Sequence, residues 1–242
     1  MTAPAPLMRI SAISHRFGGL VAVNAVSFDV APREIVGLIG PNGAGKTTLF
    51  DIISGHLRAH SGRVVFDGNA LIGASATRCA RLGIGRTFQI VRPLATLTVV
   101  ENVTVGALLH HPIATARQKA AAIVGRVGMR ALADRPAMTL TLEARKRLEL
   151  ARALSIEPKL LLLDEILAGL NPSEVNASLQ LIRSFVEQDG LAVVMIEHNL
   201  HAVMSLAARV VVLDDGRKIA DGPPAEVVRD PAVVAAYLGS NA

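Results

Sequence analysis
The chain predicts an α/β fold: a mixed sheet core with an antiparallel β part and an inserted helical subdomain. Three observations carry this. Short apolar runs, EIVGLIG, LLLLDE, LAVVMI and ARVVVL, alternate with longer stretches of helical spacing, the pattern of strands buried on both faces. Earlier segments alternate apolar and polar residues, as strands with one wet face do. From about Leu94 to about Ile156 strand patterns nearly vanish.

Taken in order, LMRISAIS and NAVSFDV read as strands, and EIVGLIG as a buried strand ending in glycine. GKTTLFDIISG reads as a helix with Leu49, Phe50 and Ile53 on one side and Gly55 as its stop. GRVVFDG and GIGRTFQ are further short strands. TVVENVTVGALLHH, IATARQKAAAIVGRVGMRALA and LEARKRLELARAL follow as three helices, separated by Pro112 and Pro136, because proline resists helix interiors. After LLLLDE, NPSE predicts a helix from 172 to 188. Asn171 is its N-cap, Pro172 its first residue, and Glu174 completes a capping box. LAVVMI, a short helix, ARVVVL and GRKIADG complete the alternation. Without internal repeats or a low-complexity linker, 1–242 reads as a single domain. Residues 1–93 and 157–242 form its α/β core and 94–156 its helical insertion.

The 242 residues are 51% hydrophobic and 19% charged, which suits a globular chain with a substantial core. There is no Trp and one Tyr, Tyr237, so a base-stacking surface is unsupported and no nucleic-acid partner is expected. The net charge is +5 with Arg dominating Lys, a mildly basic surface. A lone cysteine, Cys79, excludes an intramolecular disulfide and fits a reducing compartment. No apolar run approaches a membrane span and no signal-peptide pattern opens the sequence, so the protein is expected to be soluble or peripheral.

The chemistry concentrates in two places. GPNGAGKTT, Gly40 to Thr48, fits G-x-x-x-x-G-K-[ST] between a strand and a helix. Gly40, Pro41, Asn42, Gly43, Ala44 and Gly45 form a loop whose backbone N–H groups can converge on phosphate oxygens, backed by a helix N-terminus. Lys46 would neutralise the β- and γ-phosphates, Thr47 would ligate Mg²⁺, and Thr48 would help hold the phosphates. The second place is LLLLDE. Its strand delivers Asp164 toward the metal, and Glu165 is placed to polarise a water against the γ-phosphate. An isolated DE would read as a solvated acidic pair; after a phosphate loop it does not. Gln89, ending GRTFQ, could reach Mg²⁺ and the attacking water through its amide oxygen, and His198 could donate to the γ-phosphate.

The order of phosphate loop, RTFQ, helical insertion, charged helix, LLLLDE, AGLNP and IEHN resembles the nucleotide-binding subunit of an ABC transporter, a P-loop NTPase. It is most similar to the ATPase subunits of branched-chain amino acid importers. RFGGLVAVNAVSF, EIVGLIGPNGAGKTTLFDIISG, TVVENV, RKRLELARAL, ADGPPAEV and AYLG extend the resemblance over about residues 8 to 239. It implies an ATPase that uses ATP and Mg²⁺ to drive import of branched-chain amino acids or a related small polar solute. It further implies two permease subunits, a second ATPase subunit in a heterodimer, an external solute-binding protein, and a peripheral place at the cytoplasmic face of the inner membrane. The alternatives are a soluble ABC ATPase, disfavoured by the single cassette, and a regulatory pseudo-ATPase, disfavoured by intact Lys46, Asp164, Glu165 and His198.

The resemblance also assigns residues. Phe17 falls where an aromatic ring stacks on adenine, against the alternative of an ordinary core aromatic. Asn171 falls in the loop that crosses the dimer interface, and Gln89 with the following helices in the region that receives a coupling helix. LTLEA, 140–144, occupies the place of the LSGGQ signature, whose helix start binds the γ-phosphate held on the other subunit. Thr141 can replace the serine, but Leu142 and Glu143 replace both glycines. At ~6 Å and an effective dielectric of ~20, a carboxylate there would repel the phosphate by roughly 3 kcal/mol, less if it turned toward Arg147. Glu143–Arg147 and Arg145–Glu149 are the expected i,i+4 pairs.

Overall fold
The computed structural model of the chain describes residues 5–89 and 93–239. Strands β1 (Met8–Phe17) and β2 (Leu20–Val30) form a hairpin that joins β4 (Ser61–Phe66) and β5 (Asn69–Ala70) in an antiparallel sheet ordered β2-β1-β4-β5. Both hairpin strands run further than their alternation suggests. A bulge between Ile10 and Ile13, with Ala12 at φ 49°, resets the pattern of faces midway.

The second sheet holds β3 (Ile35–Ile39), β6 (Ile84–Arg86), β7 (Leu160–Asp164), β8 (Ala192–Ile196), β9 (Arg209–Asp214) and β10 (Arg217–Gly222). Its order is β10-β9-β3-β8-β7-β6, parallel except where β10 runs against β9. The continuous apolar runs have a simple cause. Leu161 and Leu163 of β7 enter the core shared with the helical segment, while Leu160 and Leu162 enter the core beneath the antiparallel sheet. With both faces dry, no polar residue is tolerated at alternate positions. The parallel order also brings the C-terminal ends of β3, β7 and β8 side by side, where ligands gather in open α/β sheets.

Helix α1 (Lys46–Ile53) packs Leu49, Phe50 and Ile53 into the second core. Helices α3 (Val99–Ala107), α4 (Ile113–Arg126) and α5 (Leu142–Leu154) follow one another between β6 and β7, with only an isolated Thr98–Pro136 bridge of β type among the described residues of that segment. Then come α6 (Pro172–Asp189), α7 (Leu200–Leu206), α8 (Pro224–Val227) and α9 (Pro231–Gly239). Asn171 caps α6 through the Glu174 N–H (3.0 Å) and Glu174 returns the bond (2.8 Å), the expected capping box.

Several expectations need correction. Helix α2 (Ala76–Leu82) was unanticipated; it buries only Cys79, so it offers no apolar stripe to read. The strand expected to reach Gln89 stops at Arg86. The Thr87 N–H still donates to the Leu162 carbonyl, but its hydroxyl turns to accept the Asp164 N–H, and the chain leaves the sheet. The helix expected over 113–133 ends at Arg126, because Gly128 takes φ 74° and a 3-10 turn follows at Arg130–Leu132.

Candidate nucleotide site
The phosphate loop is built on close approach. A Cβ on Gly40 would lie 2.0 Å from the Leu213 carbonyl oxygen, and one on Gly45 would lie 2.2 Å from that of Ala22. Both glycines also have positive φ, 146° and 93°. Gly45 therefore lets the β1–β2 hairpin lie directly against the loop. Helix α1 begins at Gly45 without a side-chain cap, leaving its first turn to another acceptor. Lys46 is buried, and its Nζ donates to the carbonyls of Gly40 and Pro41, both at 2.8 Å. Burial lowers its pKa, while Glu165 and Asp164 raise it. Thr47 is exposed and Thr48 half-buried in the same turn.

Beside the loop, β7 ends in Asp164, almost fully buried. Its Oδ2 accepts from Arg86 Nη2 at 3.3 Å, while Oδ1 is buried with no hydrogen-bond partner among the described residues. Burial pushes the Asp164 carboxyl above the ordinary aspartate range, with Arg86 pulling it back. An orphaned carboxylate oxygen beside a phosphate loop suits a hard cation. Among the described residues no three acidic, His or Cys side chains form a metal cluster, so such an ion would need oxygens from nucleotide and water.

Glu165 stands in a left-handed backbone conformation, φ 49°, immediately after the last residue of β7. Two candidate residues meet it. His198 Nε2 lies 2.9 Å from Oε1, and Gln89 Nε2 donates to Oε2 at 2.7 Å. The structure thus brings Gln89, Glu165 and His198 together, although the amide nitrogen of Gln89, not its oxygen, faces the carboxylate. An acceptor opposite an amide draws its donor.

Phe17 is 53% exposed, which removes the core alternative. Its ring makes a T-shaped contact with His15, centroids 4.7 Å apart. Thr141, Leu142 and Glu143 lie at the start of α5 and make no hydrogen bond or ion pair with the phosphate loop among the described residues. The Thr141 hydroxyl accepts the Ala144 N–H at 3.3 Å, and Glu143 turns back to Arg147 at 2.6 Å. The expected Arg145–Glu149 pair is replaced. Arg145 donates to the Met138 carbonyl at 3.0 Å, and buried Glu149 pairs with Arg152 at 2.9 Å, drawn inward at the junction of helix and sheet.

Sequence reasoning missed three groups. Arg86 holds Asp51 (2.6 Å), Ser54 (2.8 Å) and Asp164 while stacking on Phe88. Lys146 donates from Nζ to the Glu165 carbonyl at 2.8 Å. Glu197 accepts the Leu167 N–H at 2.9 Å. The only local signal was a charged residue beside a motif, as common on solvated faces. At the far end of the chain, Tyr237 of α9 returns to the loop. Burial raises its phenol, and a hydrogen bond from the Gly40 backbone opposes that rise.

Comparison with known proteins identifies the family of the sequence and of the fold. The sequence family described as ABC transporter matches residues 23–168, and that described as Branched-chain amino acid ATP-binding cassette transporter matches residues 217–242. The chain is 38% identical to the high-affinity branched-chain amino acid transport ATP-binding protein LivG of Salmonella typhimurium, over 97% of this chain and 98% of that one. It is 36% identical to the corresponding BraF of Pseudomonas aeruginosa, with the same coverage of 97% and 98%. Its fold matches the ADP conformation of MJ1267, an ATP-binding cassette of an ABC transporter, with a TM-score of 0.88 and 30% identity over 97% of this chain and 99% of that one. A family model that spans residues 23–168 and relatives matched over nearly their whole length together show that the chain belongs to the ABC transporter ATP-binding family, as one of its nucleotide-binding ATPases.

Proposed function
We propose that this chain hydrolyses ATP to power an importer of branched-chain amino acids or a related small polar solute. The observation that carries hydrolysis is the Glu165 carboxylate, touched by both Gln89 and His198 beside the phosphate loop. The loop N–H groups and Lys46 bind the phosphates, and Phe17 stacks on the adenine. Glu165 accepts the proton of the attacking water, Gln89 orients that water, and His198 donates to the γ-phosphate. Thr47, Asp164 and Gln89 would hold Mg²⁺, which supplies positive charge to the β- and γ-phosphates when bound. The transported solute is inferred from the likeness to LivG and BraF and from the branched-chain amino acid family match over residues 217–242.

We read the whole chain as one cassette, with 94–156 as its helical insertion. Its partners on this reading are two permease subunits, an external solute-binding protein and a second ATPase. The permease partners put the chain at the cytoplasmic face of the membrane on this reading, and no helix among the described residues is long and apolar enough to cross it. Thr141, Leu142 and Glu143 would face the γ-phosphate of the second ATPase, and Asn171 would lie in the loop between them. A heterodimer confines Glu143 to one of two composite sites and pairs this chain's own nucleotide with a more favourable helix start.

The test is co-expression. Alone, the chain should purify with low ATPase activity; with its permeases it should fractionate with the membrane and hydrolyse ATP in response to solute-loaded binding protein. Full, solute-independent turnover by the isolated chain would instead support a soluble ABC ATPase.

A further inference from the structure
Lys146 stands where helix α5 meets the turn after β7. It lies one turn after Leu142 on the same face of α5 and is 7% exposed. A buried ammonium is costly unless it meets an acceptor. The acceptor here is the backbone carbonyl of Glu165, at 2.8 Å. That residue holds a left-handed conformation, which a non-glycine residue keeps only where its surroundings impose it. Two further bonds brace the same turn: the Glu165 N–H to the Ile196 carbonyl, and the Leu167 N–H to buried Glu197, both 2.9 Å. Helix α5 also meets the segment between β7 and α6 a second time, since a Cβ on Gly169 would lie 3.0 Å from Leu142 Cδ2.

We propose that Lys146 is a positioning residue for Glu165, tying the helix whose first turn faces the other subunit's nucleotide to the hydrolytic carboxylate of its own subunit. This rests on the proposed roles of Glu165 and of residues 141–143. Without the ammonium, the carbonyl loses its charged donor and the turn can relax, carrying the Glu165 carboxylate away from the water it must polarise. Binding of nucleotide, held by the phosphate loop, is left intact.

The test compares Lys146→Met, which keeps the stem and removes the donor, with Lys146→Arg, which keeps a donor, in the full chain within its membrane complex. Lys146→Met should lower kcat on the order of 10- to 100-fold with the KM for ATP within about 2-fold. Lys146→Arg should recover most of that loss. In single-turnover assays on a Glu165→Gln background, Lys146→Met should add less than about 2-fold, because both changes act through one group. Parent-like turnover in Lys146→Met, parallel changes in kcat and KM, additive losses, or an Arg variant no better than Met would each overturn the proposal. If Lys146→Met fails to fold, Lys146→Gln is measured in its place; if that also fails while Lys146→Arg folds, the role is structural and the proposal falls. Parent-like turnover in Glu165→Gln would refute the assignment of Glu165 itself.

Discussion

Two helix N-termini of this molecule are candidates for the same anion, and the chain treats them oppositely. Helix α1 begins at Gly45 with no side-chain cap, and its first turn carries no acidic residue. Helix α5 begins at Thr141, whose hydroxyl takes the Ala144 N–H, and its first turn holds Glu143, paired with Arg147. Ser75, Thr98, Asn171 and Asn199 cap α2, α3, α6 and α7 in the same self-sufficient way. A helix start becomes an anion site when no side chain of its own has claimed the orphan N–H groups. By that measure the phosphate loop is fully open to nucleotide, while at the start of α5 the Ala144 N–H is already taken by Thr141 and the other free N–H groups of the first turn remain.

The contrast breaks most sharply at Glu165. Glu165→Gln should lower steady-state hydrolysis by about 10²- to 10⁴-fold, the usual contribution of a general base, while leaving nucleotide affinity near the parent value. Lys46→Ala should do the reverse, weakening ATP binding itself. Equilibrium binding of a fluorescent ATP analogue beside a phosphate-release assay separates the two. Undiminished turnover in Glu165→Gln would end the assignment.

The loop end also differs from the α5 start in its buried charge, so pH should act there. Burial pushes Glu197 up to about 7, from 4.5. Below 4.5 the carboxyl is protonated in folded and unfolded chains alike, and its contribution to stability is full. As pH rises toward 7 the unfolded chain releases this proton first, so stability falls. Glu197→Gln should abolish that slope and gain, relative to the parent, at most about 3 kcal/mol between pH 4.5 and pH 8. Urea unfolding of both proteins at the two pH values checks this; parallel curves would place the Glu197 pKa near its ordinary value.

The smallest effect belongs to Glu143. A carboxylate free to face phosphate would oppose dimer closure by a few kcal/mol, but Arg147 holds it 2.6 Å away in an ion pair. Glu143→Gly should therefore tighten ATP-dependent dimerisation only a few-fold, roughly 1 kcal/mol, partly offset by the lost i,i+4 pair. Sedimentation with ATP on a Glu165→Gln background measures it. If neither dimerisation nor turnover changes, with or without the partner subunit, this stretch is a salt-bridged helix and nothing more.

The legible parts of the molecule were those whose chemistry is local. Gly40 to Thr48 could be read because a phosphate cradle needs glycine and lysine at fixed spacing. Asn171 could be read because a capping box spans four residues. LLLLD was legible as a strand buried on both faces, since only that environment accepts apolar residues at every position. Helix α2 was hidden because its sole buried residue is Cys79. The strand before Gln89 was overextended because nothing in GRTFQ signals that Thr87 turns its hydroxyl to Asp164, 77 residues on.

By itself, then, the sequence determined the strands buried on both faces, the phosphate loop, the order of its motifs, and that Asp164 stands at a strand end. Only the tertiary structure decided that Arg86 holds Asp164, that Glu149 turns to Arg152 and away from Arg145, and that Lys146 and Glu197 brace the turn carrying Glu165. The reason is physical. Local spacing dictates backbone conformation and the helix or strand face on which a residue lies, but it cannot distinguish a charged side chain in solvent from one buried against a distant carbonyl. That distinction arises when β3, β6, β7 and β8 align and bring their C-terminal ends together.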